Sequence, residues 1–177
     1  MREPASGARR RVVVGVSGSP GSLTALHRAA EEARLREAEL WAVLAWKPID
    51  DLTRRSHQSP PPATDYRSVA VERLRNILDT AFGAMPPGVP LAGLTVCGTT
   101  GAALVDVAGH PQDVLVVGSR RGGLLRRSLL PSVARYCLAH AVCHVLTVPP
   151  SPLQADLTAA RRRNIWRIRL DTRELAG

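Results

Sequence analysis

The chain has 177 residues, 45% of them apolar and only 3% aromatic, which is enough for one well-packed domain with tails and too little for two ordinary domains. The formal charge of +9 is unevenly spread: residues 1–11 and 151–177 each carry +3, and the body between them is nearly balanced. Such a composition excludes a chain disordered throughout, and no apolar run approaches the ~20 residues that span a bilayer.

In chain order, Arg11-Val12-Val13-Val14-Gly15-Val16 is a continuous apolar run of the kind a strand buried on both faces requires. Ser17-Gly18-Ser19-Pro20-Gly21-Ser22 turns the chain into a helix expected at about 23–37, with Ser22 as its N-cap and Leu23, Leu26, Ala29, Ala30 and Ala33 on its apolar face. A second buried strand spans 40–46. Residues 47–65 read as a loop, because Pro60-Pro61-Pro62 suits neither a helix interior nor a central strand. Asp65 then caps a helix at about 66–83 whose apolar face carries Val69, Leu74, Ile77, Leu78 and Ala81. A strand at 91–97, a helix at about 101–109, a strand at 114–117, a helix at about 132–141 and a strand at 144–148 complete the body.

Strands that are apolar throughout, alternating with helices, imply a parallel sheet with right-handed crossovers and helices on both faces. In that topology ligands bind beyond the carboxyl ends of the strands, at the switch point in strand order. The loops after the first and fourth strands, Ser17–Ser22 and Gly118–Gly123, are expected to meet there. The domain reading is a basic N-terminal arm over 1–11, one α/β domain over 12–150 and a basic extension over 151–177 that includes Trp166, Ile168 and Leu170.

The most telling stretch is Val114-Leu115-Val116-Val117-Gly118-Ser119-Arg120-Arg121-Gly122-Gly123, followed by Leu124 to Leu130, Pro131, Ser132 and Val133. An apolar strand that enters a glycine- and arginine-rich loop and then a helix start offers backbone N–H groups to a phosphate. Together with Val12 to Val16 before Gly18-Ser19, and with Cys143-His144-Val145-Leu146-Thr147-Val148, it resembles the universal stress protein family over about residues 11–149. The resemblance implies a flavodoxin-like, Rossmann-like α/β domain with a five-stranded parallel sheet in the order 3-2-1-4-5. It also implies a homodimer paired through the last strand, His144 to Val148.

ATP-binding members of that family carry a glycine, two residues, a second glycine, nine residues, and a third glycine followed by serine or threonine. On this chain the first glycine is Gly118, but the second position falls on Arg121 and the third on Pro131, with Ser132 next. The family's acidic residue at the end of strand one falls on Ser17. Arg121 places a long side chain where a backbone without Cβ would approach phosphates, Pro131 removes a backbone donor, and Ser17 is a weaker hydroxyl partner than a carboxylate. Arg120, Arg121, Arg126 and Arg127 could instead hold an anion by side chain.

The reading is therefore a stress-response binding or regulatory protein with a degenerate nucleotide site, weak or lost ATP binding and no efficient catalysis. Where nucleotide binding is retained, the resemblance places it at Val16, Ser17, Ala45, Val117, Gly118, Arg120, Arg121, Gly122, Ser132 and Val133, with ATP and Mg as the implied ligands. The competing readings are an ATP-binding member with slow hydrolysis and a basic adaptor that touches nucleic acid or an anionic surface through its tails. Three cysteines, an odd number, and no apolar stretch behind the charged N-terminus point to a cytoplasmic protein with reduced thiols. The Cys137, His140, Cys143 and His144 group straddles a helix end and a strand start, so core thiols and a capping histidine are expected there, with no metal site.

Overall fold

Val12, Val13 and Val14 are completely buried because β1 (Arg11–Gly15) is the central strand of the sheet. The computed structural model describes residues 10–47, 63–83, 86–119 and 132–149. Its other strands are β2 (Glu39–Trp46), β3 (Leu91–Cys97), β4 (Val114–Gly118) and β5 (His144–Val148). All pair in parallel in the order β3-β2-β1-β4-β5, with Val13 opposite Trp41 on one side and Leu115 on the other. The order is the one expected.

Alternation along β1 sorts the core into two halves. Val12 and Val14 join Leu40, Ala42, Val114 and Val116 beneath α1 (Pro20–Leu35) and α2 (Ala63–Phe82). Val13 joins Val43, Leu115 and Val117 beneath α3 (Thr100–Val107) and α4 (Val133–His140). Crossovers from β1 to β2 to β3 run one way across the sheet, and those from β3 to β4 to β5 run the other way. A constant right hand therefore puts α1 and α2 on one face and α3 and α4 on the opposite face.

Several local expectations need correction. α1 begins at Pro20 and not at Leu23, with Ser19 as its N-cap, because proline is preorganised for the first helical position and Ser19 offers its side chain to the Ser22 amide. α2 begins at Ala63, so Asp65 lies inside its first turn and does not cap it; alanine is the strongest helix former and nothing at 63–65 delays the start. Val69, read as part of the apolar face of α2, is 62% exposed, whereas Ala70, Leu74 and Ile77 carry the packing. β3 and β5 occupy the two edges, as expected, and carry mostly exposed and half-buried residues, with Val148 buried at the end of β5. The expectations for residues 1–9, for the loop over 48–62 and for 150–177 lie outside the described residues.

Arg11, counted above with the basic arm, is the first residue of β1, and its charge is committed within the fold. Its Nε donates to Asp113 Oδ1 at 3.0 Å and its Nη2 to Oδ2 at 2.6 Å, with a further contact to the Val107 carbonyl at 3.3 Å. The guanidinium lies 4.7 Å from the centre of the Trp41 ring, and the His110 amide donates to the same carboxylate at 3.1 Å. The bond clamps the amino ends of β1 and β4, and Asp113 is only 2% exposed. Removing one partner of such a pair strands the other charge, so Asp113→Asn should lower unfolding free energy by about 3 kcal/mol in urea denaturation. An Arg11→Met, Asp113→Leu double variant should recover most of that loss.

Candidate functional site

The crossover direction reverses between β1 and β4, the position at which parallel α/β sheets bind ligands, and three serines follow β1 there. Val16 still holds the sheet through its amide to the Val43 carbonyl at 2.9 Å. Ser17 then leaves the sheet, its amide donating to the Ser22 hydroxyl at 3.2 Å, while that buried hydroxyl donates to the Ser19 carbonyl at 2.9 Å. The Ser17 and Ser19 hydroxyls lie 3.0 Å apart. Gly18 adopts φ of 77°, the left-handed backbone that favours glycine, and this conformation lets the loop fold back onto the start of α1.

From the other side, Gly118 at the end of β4 comes so close to α1 that a Cβ there would sit 2.9 Å from the Gly21 carbonyl oxygen. Ser119 turns toward β5, its amide donating to the Val148 carbonyl at 2.7 Å and its hydroxyl at 3.2 Å. The end of β4 thus meets the first turn of α1, while the chain from 120 to 131 lies outside the described residues. Val16, Ser17, Val117 and Gly118 gather at this junction, and Ala45 stands near the carboxyl end of β2, opposite Val96. Ser132 is the N-cap residue of α4, without a side-chain cap bond, and Val133 is that helix's first residue. Arg120, Arg121, Gly122, Arg126, Arg127 and Pro131 lie outside the described residues.

Arg73, a site residue that the sequence reading missed, reaches from α2 to donate its Nη2 to the Ser17 carbonyl at 2.9 Å. It stands 56 positions from Ser17 on a face whose spacing marks it as solvent-facing, and no local pattern announces the bond. Arg73 also lines a groove of about 330 Å³ between α1 and α2, floored by Leu23 and Ile77 and edged by Gly18, Val69 and Asn76. One acidic residue, Glu72, shares that lining. The corner therefore offers hydroxyls, a guanidinium and the positive end of a 16-residue helix, a combination suited to binding an anion rather than to breaking bonds.

The Cys/His group divides, its thiols turned into the core and both histidines exposed. Cys137 is fully buried and Cys143 half-buried; burial pushes both thiols up, with Cys143 adding to the effect on Cys137 and Asp113 to that on Cys143. His140 stacks on Tyr136 with ring centres 4.1 Å apart and sets its Nδ1 2.8 Å from the Tyr136 carbonyl. Among the described residues no cluster of His, Cys, Asp or Glu could hold a metal ion, and no helix is long and apolar enough to cross a membrane.

The family model described as the universal stress protein family matches residues 8–149. The chain belongs to the universal stress protein family. Universal stress protein Rv2005c of Mycobacterium tuberculosis strain H37Rv is 33% identical over 140 residues, covering 78% of this chain and 43% of that protein. The chain thus spans less than half the length of the curated relatives it matches. A solved universal stress protein in complex with cAMP aligns with a TM-score of 0.63 at 29% identity, over 82% of this chain and all of the other. A family member from Burkholderia pseudomallei aligns with a TM-score of 0.56 at 25% identity, over 81% and 97% of the two chains. The universal stress protein from Archaeoglobus fulgidus in complex with dAMP shares the fold, with a TM-score of 0.55 at 22% identity over 78% and 96%.

Contact between β4 and α1 at Gly118 makes a direct test of the junction. Gly118→Ala should force the Gly21 carbonyl away and cost about 1–3 kcal/mol, read as a lower midpoint in thermal and urea unfolding.

Proposed function

We propose that this chain is a binding and regulatory protein of the stress response whose adenine-nucleotide site is degenerate, holding ATP weakly or not at all. The observation that carries this reading is the state of Ser17. Its hydroxyl is shared with Ser19 and its carbonyl is taken by Arg73, so the point from which a family carboxylate would accept ribose hydroxyl protons presents a neutral group beside a cation. A neutral acceptor makes a weaker bond than a carboxylate, and Arg121 and Pro131 remove two further features of the ATP motif. Catalysis is then limited to slow ATP hydrolysis at most. Three free thiols suit work in the cytoplasm.

The neighbour solved with cAMP favours a second reading, in which a mononucleotide occupies the junction and the glycines that would cradle a triphosphate are dispensable. Calorimetry on the full chain separates these readings. ATP with Mg should bind more weakly than roughly 100 μM, and a low-micromolar dissociation constant would overturn the degenerate reading. Tighter binding of cAMP than of ATP would favour the mononucleotide.

The assembly proposed for the molecule is a homodimer through β5. Val148 directs its carbonyl to Ser119 on the β4 side, so in a parallel strand the polar groups of Val145 and Thr147 face the open edge. Exposed Leu138 and Val142 lie beside that edge in sequence, and an uncovered edge of this kind recruits another strand. Thr147→Pro removes one outward N–H and leaves the β4 ladder alone. It should convert dimer to monomer in light scattering with little change in the far-ultraviolet spectrum; an unchanged mass would refute pairing through β5.

A further inference from the structure

The corner between β1 and α2 has a chemistry of its own beyond a weakened ATP site. Arg73 spends one amino nitrogen on the Ser17 carbonyl and, among the described residues, makes no other polar bond. Its remaining N–H donors belong to a side chain that lines the groove beside Gly18. The Ser17 and Ser19 hydroxyls share one proton between them, which leaves the other O–H to donate outward. Gly18 has no Cβ, and one built there would meet Ile77 of the groove floor at 3.4 Å, so the glycine keeps that space clear of a side chain. Asn76 adds an amide to the same lining, while the Thr80 hydroxyl is already bonded to the Asn76 carbonyl at 2.6 Å.

In parallel α/β sheets the charge beside a nucleotide's ribose sets which ribose is accepted. A carboxylate takes protons from free hydroxyls, whereas an arginine accommodates a phosphate on the same oxygen. Here the end of β1 carries hydroxyls and a guanidinium. We infer that this corner is a subsite for a phosphate borne on the 2′ or 3′ oxygen of a nucleotide, with Arg73 as its specificity-determining residue. The inference rests on the proposed nucleotide site at the β1–β4 junction and deepens it, because it names the ligand class that the altered site prefers. Glu72, the acidic member of the same lining, opposes the phosphate and holds the preference in check.

The test titrates the full chain with 2′-AMP, 3′-AMP, 5′-AMP and adenosine at low salt. The wild type should bind 2′-AMP or 3′-AMP about tenfold more tightly than 5′-AMP, as one charge-assisted contact at a partly exposed site allows. Arg73→Gln should bring the isomers within about twofold of one another, and added salt should narrow the wild-type preference. Glu72→Gln, which leaves the Arg73 bond in place, should tighten 2′-AMP or 3′-AMP by about threefold with no effect on adenosine, so the subsite stays testable if Arg73→Gln folds poorly. Equal binding of the isomers by wild type, a preference that survives Arg73→Gln, an unmoved Glu72→Gln, or no binding of any probe would each overturn the subsite. Low-micromolar ATP binding would overturn the degenerate reading instead, so the two failures are distinguishable.

Discussion

Everything in this molecule is arranged around a central strand that has no solvent-facing side. β1 is paired on both edges and covered on both faces, so its three valines must be apolar, and their alternation divides the core into the half under α1 and α2 and the half under α3 and α4. Only the two ends of such a strand are available for polar chemistry. At the amino end Arg11 meets Asp113 and Trp41, and at the carboxyl end Ser17 meets Arg73.

These two arginines illustrate how burial decides what a charge is for. Arg11 is largely enclosed and bonded through two nitrogens to a carboxylate that water scarcely reaches, so its charge is neutralised inside the fold. Arg73 is exposed, makes one bond to a carbonyl, and keeps its charge unneutralised by that bond. The first arrangement holds strands together, whereas the second leaves a cation beside the groove between α1 and α2, at the end of β1.

Much of the fold was legible because it follows from periodicity. Continuous apolar runs at 12–16, 40–46 and 114–117 read as buried parallel strands, and the alanine-rich stripe from Leu26 to Ala33 packs closely against the sheet as its spacing implies. The errors have local or positional causes. Ser22 looked like a cap, but Pro20 is fit to begin the helix itself and Ser22 is drawn into the loop as a buried bridge between Ser17 and Ser19. Val69 satisfied the helical period yet faces the groove, because a period describes a stripe on the helix and not the width of the surface that covers it. β3 and β5 stand at the sheet edges, as the expected order 3-2-1-4-5 requires, and their residues are correspondingly more exposed than those of β1 and β4.

The sequence by itself determined the element order, the parallel α/β class and the family, because strand and helix periods and the spacing around Gly118 are local properties of the chain. Tertiary structure alone decided that Arg73 reaches Ser17, that Arg11 is neutralised by Asp113, and that Gly118 touches the first turn of α1. Each of those contacts joins residues far apart in the chain. Their existence depends on the order in which strands pair and the face to which each helix is carried, and no window of sequence contains that information.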